Sequence, residues 1–303
     1  MLDISGKIST LRTARARAIV EMSEESALKI VNYDVPKGNV FEMAKAGAII
    51  GAKKTAELII FCHNIPIEWV DADIQVNGGR VVIVVTVKTT AKTGCEMEAI
   101  TAASSAALTV YDMLKPIDEK IEIVSVTLLE KSGGKSDFVE KIPEGLKAGV
   151  LVISDSVSAG KKEDTAGQNI LKKLREIGIY DVEYQIVPDE IEDIRNCVDG
   201  WCQSGYKLVL TTGGTGLSPR DITPEAVRPL IEKEVPGIME TARGYGQERT
   251  PYSMLSRGIA GLRGKTLIIT LPGSSRGAKE SMDGLFPYVL HLFKMLEGGK
   301  HKG

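Results

Sequence analysis

The sequence predicts an α+β domain followed by an α/β domain of three layers with a mostly parallel sheet. Three observations carry that expectation. In the first half, helical and β-branched segments come in blocks and include an antiparallel hairpin signal. In the second half, short apolar strands alternate regularly with helical segments, the pattern of a parallel sheet covered on both faces. Between the halves lies SDFVEKIPEGLK (136–147), a polar stretch holding Pro143 and Gly145. A length of 303 residues suits two domains. The expected boundaries are a first domain over 1–138, a linker over 139–147 and a second domain over 148–303.

Taken in order, residues 12–31 (RTARARAIVEMSEESALKIV) read as a helix, and residues 41–62 carry Ala, Leu and Ile at helical spacing. Residues 70–74 and 80–90 (RVVIVVTVKTT) read as strands joined at Asn77-Gly78-Gly79. A long helix follows over 96–115, then a strand over 121–131. In the second half the strands fall at 148–154, 182–187, 206–212 and 266–272. Helices are expected near 165–177, 190–203, 224–232 and 277–297, with Thr223 capping the third ahead of Pro224.

Composition narrows the function. Lys and Arg number 38 against 40 Asp and Glu, a net charge of −2, which excludes nucleic-acid binding through bulk positive charge. Aromatic residues are 5%, so the cores must be aliphatic. No apolar run reaches the roughly 18 to 20 residues of a membrane span, and MLDISGKIST lacks a signal-peptide core. A cytoplasmic protein is expected, with its four cysteines reduced and no CxxC pair. Three histidines without ligand spacing argue against zinc.

The first domain concentrates charge on a small-residue helix. TGCEMEAITAASSAALTVYDMLK holds Glu96, Glu98, Asp112 and, at its end, Lys115. Asp112 and Lys115 share a face at spacing i, i+3, which is equally what a surface ion pair would show. Glu98 and Asp112 lie four turns apart, roughly 21 Å along the axis. One small substrate cannot easily touch both from one helix, so a site using both draws them from different subunits. Lys37-Gly38 follows a proline, Phe61-Cys62-His63 closes a helix, and KSGGKS (131–136) is a glycine-rich loop after a strand, suited either to phosphate or to a plain turn.

KGNVFEMAKAGAIIGAKKTAELIIFCH, KTGCEMEAITAASSAALTVYDMLK and LLEKSGGKSDF together resemble the MoaC family, cyclic pyranopterin monophosphate synthase, over residues 1–138. The resemblance implies a ferredoxin-like fold, hexameric assembly and conversion of 3′,8-cyclo-7,8-dihydro-GTP to cyclic pyranopterin monophosphate with loss of pyrophosphate. It implies catalytic roles for Asp112, Lys115 and Lys37. It makes Arg12, Phe61, Cys62, His63, Glu96, Met97, Glu98, Lys131 and Lys135 substrate contacts, and requires no cofactor. The sequence departs from the family at Asn39, where Asp is usual, and at Ile60, Phe61 and Asn64.

In the second domain, strand LVLTT runs into GGTGLSPRDITPEA (213–226), where glycines permit a tight turn and close phosphate approach, or serve a purely structural turn. Asp155, Asp164, Asp189 and Asp221 all lie beyond strand ends, an arrangement suited to Mg²⁺ and nucleotide phosphates or, singly, to helix caps. With VPGIMETAR, MLSRGIAG and ITLPGSSRGAKE, these motifs resemble the MogA/MoaB family over about 147–297. The resemblance implies adenylylation of molybdopterin by Mg-ATP in a trimer or a hexamer. Asp189 and Asp221 would be catalytic and hold Mg²⁺. Ser154, Asp155, Gly213, Gly214, Thr215, Gly216, Ser274 and Ser275 would bind substrate. Two alternatives stay open for this half: a pterin-binding scaffold without turnover, and a CinA-like nucleotide hydrolase.

Overall fold

A computed structural model describes residues 1–298, apart from the side chain of Lys135. The chain divides into two compact units, Met1–Phe138 and the remainder from Val139.

The first unit opens with strand β1 (Thr10–Glu21), followed by helices α1 (Glu24–Val31) and α2 (Val40–Leu58). Hairpin β2 (Trp69–Asn77) and β3 (Arg80–Ala91), helix α3 (Glu96–Leu114) and strand β4 (Glu122–Ser132) complete it. The sheet is antiparallel throughout, in the order β2-β3-β1-β4, an arrangement compatible with a ferredoxin-like fold. One finding corrects the sequence reading. Residues 10–21 form a strand, not the start of a helix. Ala14, Ala16, Ala18 and Val20 alternate inward and are fully buried, the period of a strand. Alanine is a strong helix former, but here its small side chain lets the helices lie close on the sheet. The helical part of 12–31 is α1 alone, capped by Ser23, whose hydroxyl accepts from the Ser26 N–H.

The two long helices approach closely because their contact is built from small residues. A Cβ on Gly51 would lie 2.5 Å from the Ser105 hydroxyl, and one on Gly47 would collide with Thr109. This fixes the line of α3 across the sheet, and hence where its two charged ends fall.

The second unit contains a six-stranded sheet in the order β6-β5-β7-β10-β9-β8. Strand β5 (Ala148–Ile153) leads into the single turn α4 (Asp155–Ser158) and helix α5 (Ala166–Glu176). Strand β6 (Val182–Val187) precedes α6 (Ile191–Gln203), and β7 (Leu208–Thr212) precedes α7 (Thr223–Val227). Strand β8 (Lys233–Glu234), helix α8 (Pro236–Gln247), β9 (Ala260–Arg263), β10 (Thr266–Leu271), α9 (Ser275–Leu285) and α10 (His291–Leu296) follow. Strands β6, β5, β7 and β10 are parallel, and β9 and β8 extend the sheet antiparallel. Two apolar clusters, one containing Ile170, Leu174 and Met282 and the other Ile194, Val198 and Trp201, bury the sheet's two faces.

The second unit departs from the expected elements in several places. The expected last helix breaks after Leu285, because Pro287 lacks an N–H and restrains the residue before it. Helix α7 lasts only five residues. Thr223 does not cap it, because its hydroxyl donates instead to the Gly213 carbonyl at 2.8 Å. Helix α8 and the antiparallel strands β8 and β9 add to the expected elements. Residues 139–147 pack with the second unit: Leu146 is buried and the Glu140 carboxylate meets His291 Nδ1 at 2.6 Å. Among the described residues, no helix is long and apolar enough to cross a membrane.

Candidate active sites

The first unit gathers its charged residues at the two ends of α3. At the C-terminal end, Lys37 Nζ donates to Asp112 Oδ2 at 2.7 Å and to the Asp112 carbonyl at 2.8 Å. Lys115 Nζ reaches Asp112 Oδ1 at 2.9 Å. The loop before α2 supplies Lys37, and Lys115 is the C-cap residue of α3, where a cation also opposes the helix dipole. The hydrogen bond from Lys115, then that from Lys37, holds the Asp112 carboxyl down at about 2. Asp112 in turn raises Lys115. The result is a doubly held carboxylate and two ammonium groups, all open to solvent.

At the N-terminal end, Lys131 Nζ bonds Glu96 Oε1 at 2.9 Å. Burial raises Glu96, but the Lys131 bond, its own backbone and the Lys131 and Arg12 charges outweigh it, so the carboxyl lies below its usual value. Glu98 is 4% exposed, and burial, with the Glu96 charge, pushes it up. Its charge also acts on the thiols of Cys62 and Cys95, after burial the next cause raising each. His63 Nε2 donates to the Leu2 carbonyl at 2.9 Å, while Phe61 and Met97 are exposed. The turn after β4 brings Gly133 and Gly134 against β1. A Cβ on Gly134 would sit 3.2 Å from the Arg12 guanidinium, and Gly133, at φ +84°, leaves no room for one beside the Leu11 carbonyl. The side chain of Lys135 lies outside the described residues.

The first unit thus brings Lys37, Asp112 and Lys115 together, and separately Arg12, Glu96 and Lys131. Glu96 and Asp112 stand sixteen residues apart on one helix, roughly 24 Å along its axis. Asn39 caps α2: its side-chain Oδ1 accepts from Phe41 N at 3.0 Å and Glu42 N at 3.3 Å.

In the second unit, the carboxyl ends of β5, β6 and β7 open onto a cleft of about 250 Å³. It is lined among others by Ser154, Asp189, Gly213, Gly214, Arg220 and Asp221. Gly213 and Gly214 hold left-handed φ of +109° and +62°. A Cβ on Gly213 would lie 2.0 Å from the Ile153 carbonyl, so the turn requires glycine there. Asp189 and Asp155 exchange backbone-to-carboxylate bonds: Asp155 N donates to Asp189 Oδ2 at 2.9 Å, and Asp189 N to Asp155 Oδ1 at 3.1 Å. Asp221 Oδ2 accepts from Ser218 N at 2.8 Å. Burial, followed by the charges of Asp155 and Asp221, pushes Asp189 up, though its bond to Asp155 N and the Arg220 charge pull it down.

Other expected residues lie beside this cleft or under it. Ser154 caps α4. Thr215 is buried. Ser274 caps α9 and borders a neighbouring cavity with Thr250, Ser256 and Arg276. Ser275 Oγ accepts from Asn169 Nδ2 at 2.8 Å. Sequence reasoning passed over Arg220, which grips the Asp155 carboxylate at 2.9 to 3.1 Å and also bonds Glu190 at 3.1 Å. Its place inside the glycine-rich segment, one residue before Asp221, was the available signal. Lys162 and Asp164 also line the cleft. Asp164 Oδ1 accepts from Gly167 N at 2.8 Å and its other oxygen accepts from the Tyr184 hydroxyl at 2.7 Å.

Among the described residues no group of three or more His, Cys, Asp and Glu is placed to hold a metal. Asp189 and Asp221 still fit a hard cation completed by phosphate oxygens and water. They supply oxygen donors, and the neighbouring carboxylate charge that, after burial, raises Asp189 is what a divalent ion would offset.

These geometries define a protein of two units, each with a charged, solvent-reaching site. The MoaC family matches residues 1–134, and the family described as "Probable molybdopterin binding domain" matches residues 149–291. The molybdenum cofactor biosynthesis bifunctional protein of Chlorobaculum tepidum is 38% identical over 99% of this chain and 96% of its own length. That of Synechococcus elongatus is 37% identical over 99% and 98%. The cyclic pyranopterin monophosphate synthase of Aquifex aeolicus is 46% identical over 48% of this chain and 57% of its own length. A solved structure of MoaB from Thermus thermophilus is 42% identical, covering 50% of this chain and 97% of that one, with a TM-score of 0.46. The chain belongs to the family of molybdenum cofactor biosynthesis bifunctional proteins, with a MoaC domain first and a molybdopterin-binding-type domain second.

Proposed function

We propose that the chain carries out two reactions of molybdenum cofactor biosynthesis. The first unit, read as a ferredoxin-like synthase, converts 3′,8-cyclo-7,8-dihydro-GTP to cyclic pyranopterin monophosphate and pyrophosphate, without a cofactor. The observation that carries this reading is the Lys37–Asp112–Lys115 cluster. Asp112 exchanges protons with the ring being rebuilt, and its two lysines keep it ionised between transfers. Arg12 and Lys131, with Lys135, balance the triphosphate and the departing pyrophosphate. Phe61, Cys62, His63, Glu96, Met97 and Glu98 contact the purine-derived part. Because Asp112 and Glu96 are too far apart on α3 to meet one ligand, each complete site takes residues from two copies in a homo-oligomer, a trimer or hexamer.

The second unit binds molybdopterin and adenylylates it with ATP. Gly213, Gly214, Thr215 and Gly216 present backbone N–H groups to phosphate. Ser154 and Asp155, with Ser274 and Ser275, flank the bound substrates. Asp189 and Asp221 hold Mg²⁺, which supplies positive charge to the phosphates of ATP. The two reactions are not consecutive, since sulfur must enter the pterin between them, so one chain secures joint supply rather than channelling.

The test supplies the purified chain with each substrate in turn and follows products by chromatography. Cyclic pyranopterin monophosphate formation that is lost in Asp112→Asn, and Mg-dependent adenylyl-molybdopterin formation that is lost in Asp221→Asn, are expected. Molybdopterin binding without ATP consumption would leave the second unit a pterin carrier and refute its transferase role.

A further inference from the structure

We propose that Arg257 is a positioning residue for the second unit's phosphate loop, holding residues 215–221 so that Asp221 and the loop amides face the nucleotide. The proposal rests on the adenylyl-transfer reading of the cleft. Arg257 lies in the segment that enters β9, far along the chain from the loop. Yet it bonds three of the loop's carbonyls. Its backbone N donates to the Thr215 carbonyl at 2.9 Å. Its Nε donates to the Gly216 carbonyl at 2.6 Å, and its Nη2 to the Asp221 carbonyl. The rest of the guanidinium meets the Glu225 carboxylate on α7.

The loop needs such a hold. Thr223 ties its base, through the Gly213 carbonyl at 2.8 Å and, by its backbone N–H, the Gly214 carbonyl at 3.0 Å. Its far end is tied by Ser218 N to Asp221 Oδ2 at 2.8 Å and by Arg220 to Asp155, but those bonds leave the Thr215 and Gly216 carbonyls to Arg257. Arg257 stands on firm ground itself. Two residues on, Ile259 N donates to Thr270 Oγ1 at 2.7 Å, and the Ile259 carbonyl accepts from Thr270 N at 2.9 Å, joining the segment to β10.

The consequence follows from peptide geometry. In a trans peptide the C=O and the following N–H point in opposite directions. Carbonyls of Thr215 and Gly216 pinned toward Arg257 therefore turn the N–H groups of Gly216 and Leu217 away from it, so Arg257 sets which way these amides face. The third bond fixes the backbone of Asp221, whose side chain lines the cleft. Arg257 does not line that cleft, and its guanidinium is committed to protein acceptors. It acts through the loop, not on phosphate.

The experiment compares Arg257→Gln, Arg257→Lys, Asp221→Asn and the Gln/Asn double variant in the full chain. Hydrogen exchange of residues 213–222 and Mg-ATP kinetics are both read. Arg257→Gln should speed exchange in 213–222 but not in β5 or β7. It should lower kcat/KM for Mg-ATP by about tenfold or more, the scale of a displaced catalytic group. Arg257→Lys, able to restore one carbonyl bond, should recover part of both. In the Asp221→Asn background the same change should cost under about twofold, because the two act as a unit. Additive losses, unchanged exchange in 213–222, or a uniform rise across the second unit would overturn the proposal. If the wild-type chain makes no adenylyl product, the transferase reading fails, and the exchange pattern alone decides whether Arg257 orders the loop.

Discussion

The two units place an aspartate at the centre of a charged site in opposite ways. Asp112 lies in solvent between two lysines, and those cations hold its carboxyl at about 2. Asp189 is half-buried beside two other aspartates, and burial with their charge pushes it up. The first site contains its counter-charge before any ligand arrives, so it can receive an anionic substrate and keep its base ionised unaided. The second site sets three aspartates beside a glycine turn with Arg220 paired to one of them, and on the proposed reading Mg²⁺ completes its charge balance. On the proposed reading, one chain then holds a cofactor-free site and a metal-dependent one. Side-chain identity is the same, and the neighbours decide the chemistry.

The largest effects should separate the sites by reaction. Asp112→Asn removes the proposed proton-transfer group and should cost the synthase reaction about 10² to 10⁴ in rate. Adenylyl transfer in the same variant should be unchanged. Asp189→Asn should cost adenylyl transfer about 10² to 10³ and leave the synthase intact. Both activities are measured on each purified variant. Equal loss of both reactions in either variant would break the comparison, because it would mean damage to the whole chain.

A smaller effect tests the electrostatics themselves. Lys115→Met removes the leading cause of the Asp112 depression, and Lys37→Met the next. Each should raise the Asp112 carboxyl, read by NMR titration of its side-chain carbon, with the double variant raised most. For a depressed carboxyl, the contribution to stability is present above its ordinary value of 3.8 and fades as pH falls toward about 2. Asp189 runs the opposite way. Its contribution is fullest below 3.8 and is lost as pH rises through its raised value. Mg²⁺ should reverse that loss by favouring the charged form. Thermal melts of the chain with and without Mg²⁺, at pH 4 to 7, would show stabilisation growing with pH. Stabilisation that shrinks as pH rises would contradict the assigned environment of Asp189.

Much of this contrast could be read in the sequence. Asp112 and Lys115 declare their shared helix face by spacing, and the run GGTG declares a strained turn after a strand. The third member, Lys37, comes from 75 positions away, and only its place in a motif drew attention to it. Arg220 offered only its place beside Asp221, and the role of Arg257 is not legible there, because a side chain that bonds carbonyls and a carboxylate 32 to 41 positions away leaves no local periodicity. The fold shows the same division. Strands β3, β5, β7 and β10 are dense in Val, Ile and Leu and announce themselves. Strand β1 does not, because its buried face is mostly alanine, whose intrinsic preference is helical until neighbouring strands and helix α3 cover it. The antiparallel strands β8 and β9 are too short, at two and four residues, to show alternation.

The smallest effect concerns Asn39, beside Lys37, where the family resemblance leads one to expect Asp. Asn39 caps α2 through its side-chain oxygen, and aspartate would do so with similar geometry, since both rank among the best N-caps. Asn39→Asp should therefore shift stability by less than about 0.5 kcal/mol in denaturant melts, while Asn39→Ala should cost about 1 kcal/mol. An added carboxylate at this position also lies two residues from Lys37 and could draw its ammonium away from Asp112. The NMR titration of Asp112 distinguishes the two influences. If Asn39 matters only as a cap, Asn39→Asp leaves the Asp112 carboxyl near 2. A rise would mean that the neutral cap helps to keep Lys37 on the aspartate, and the cation balance of the first site would then extend into the helix that presents it.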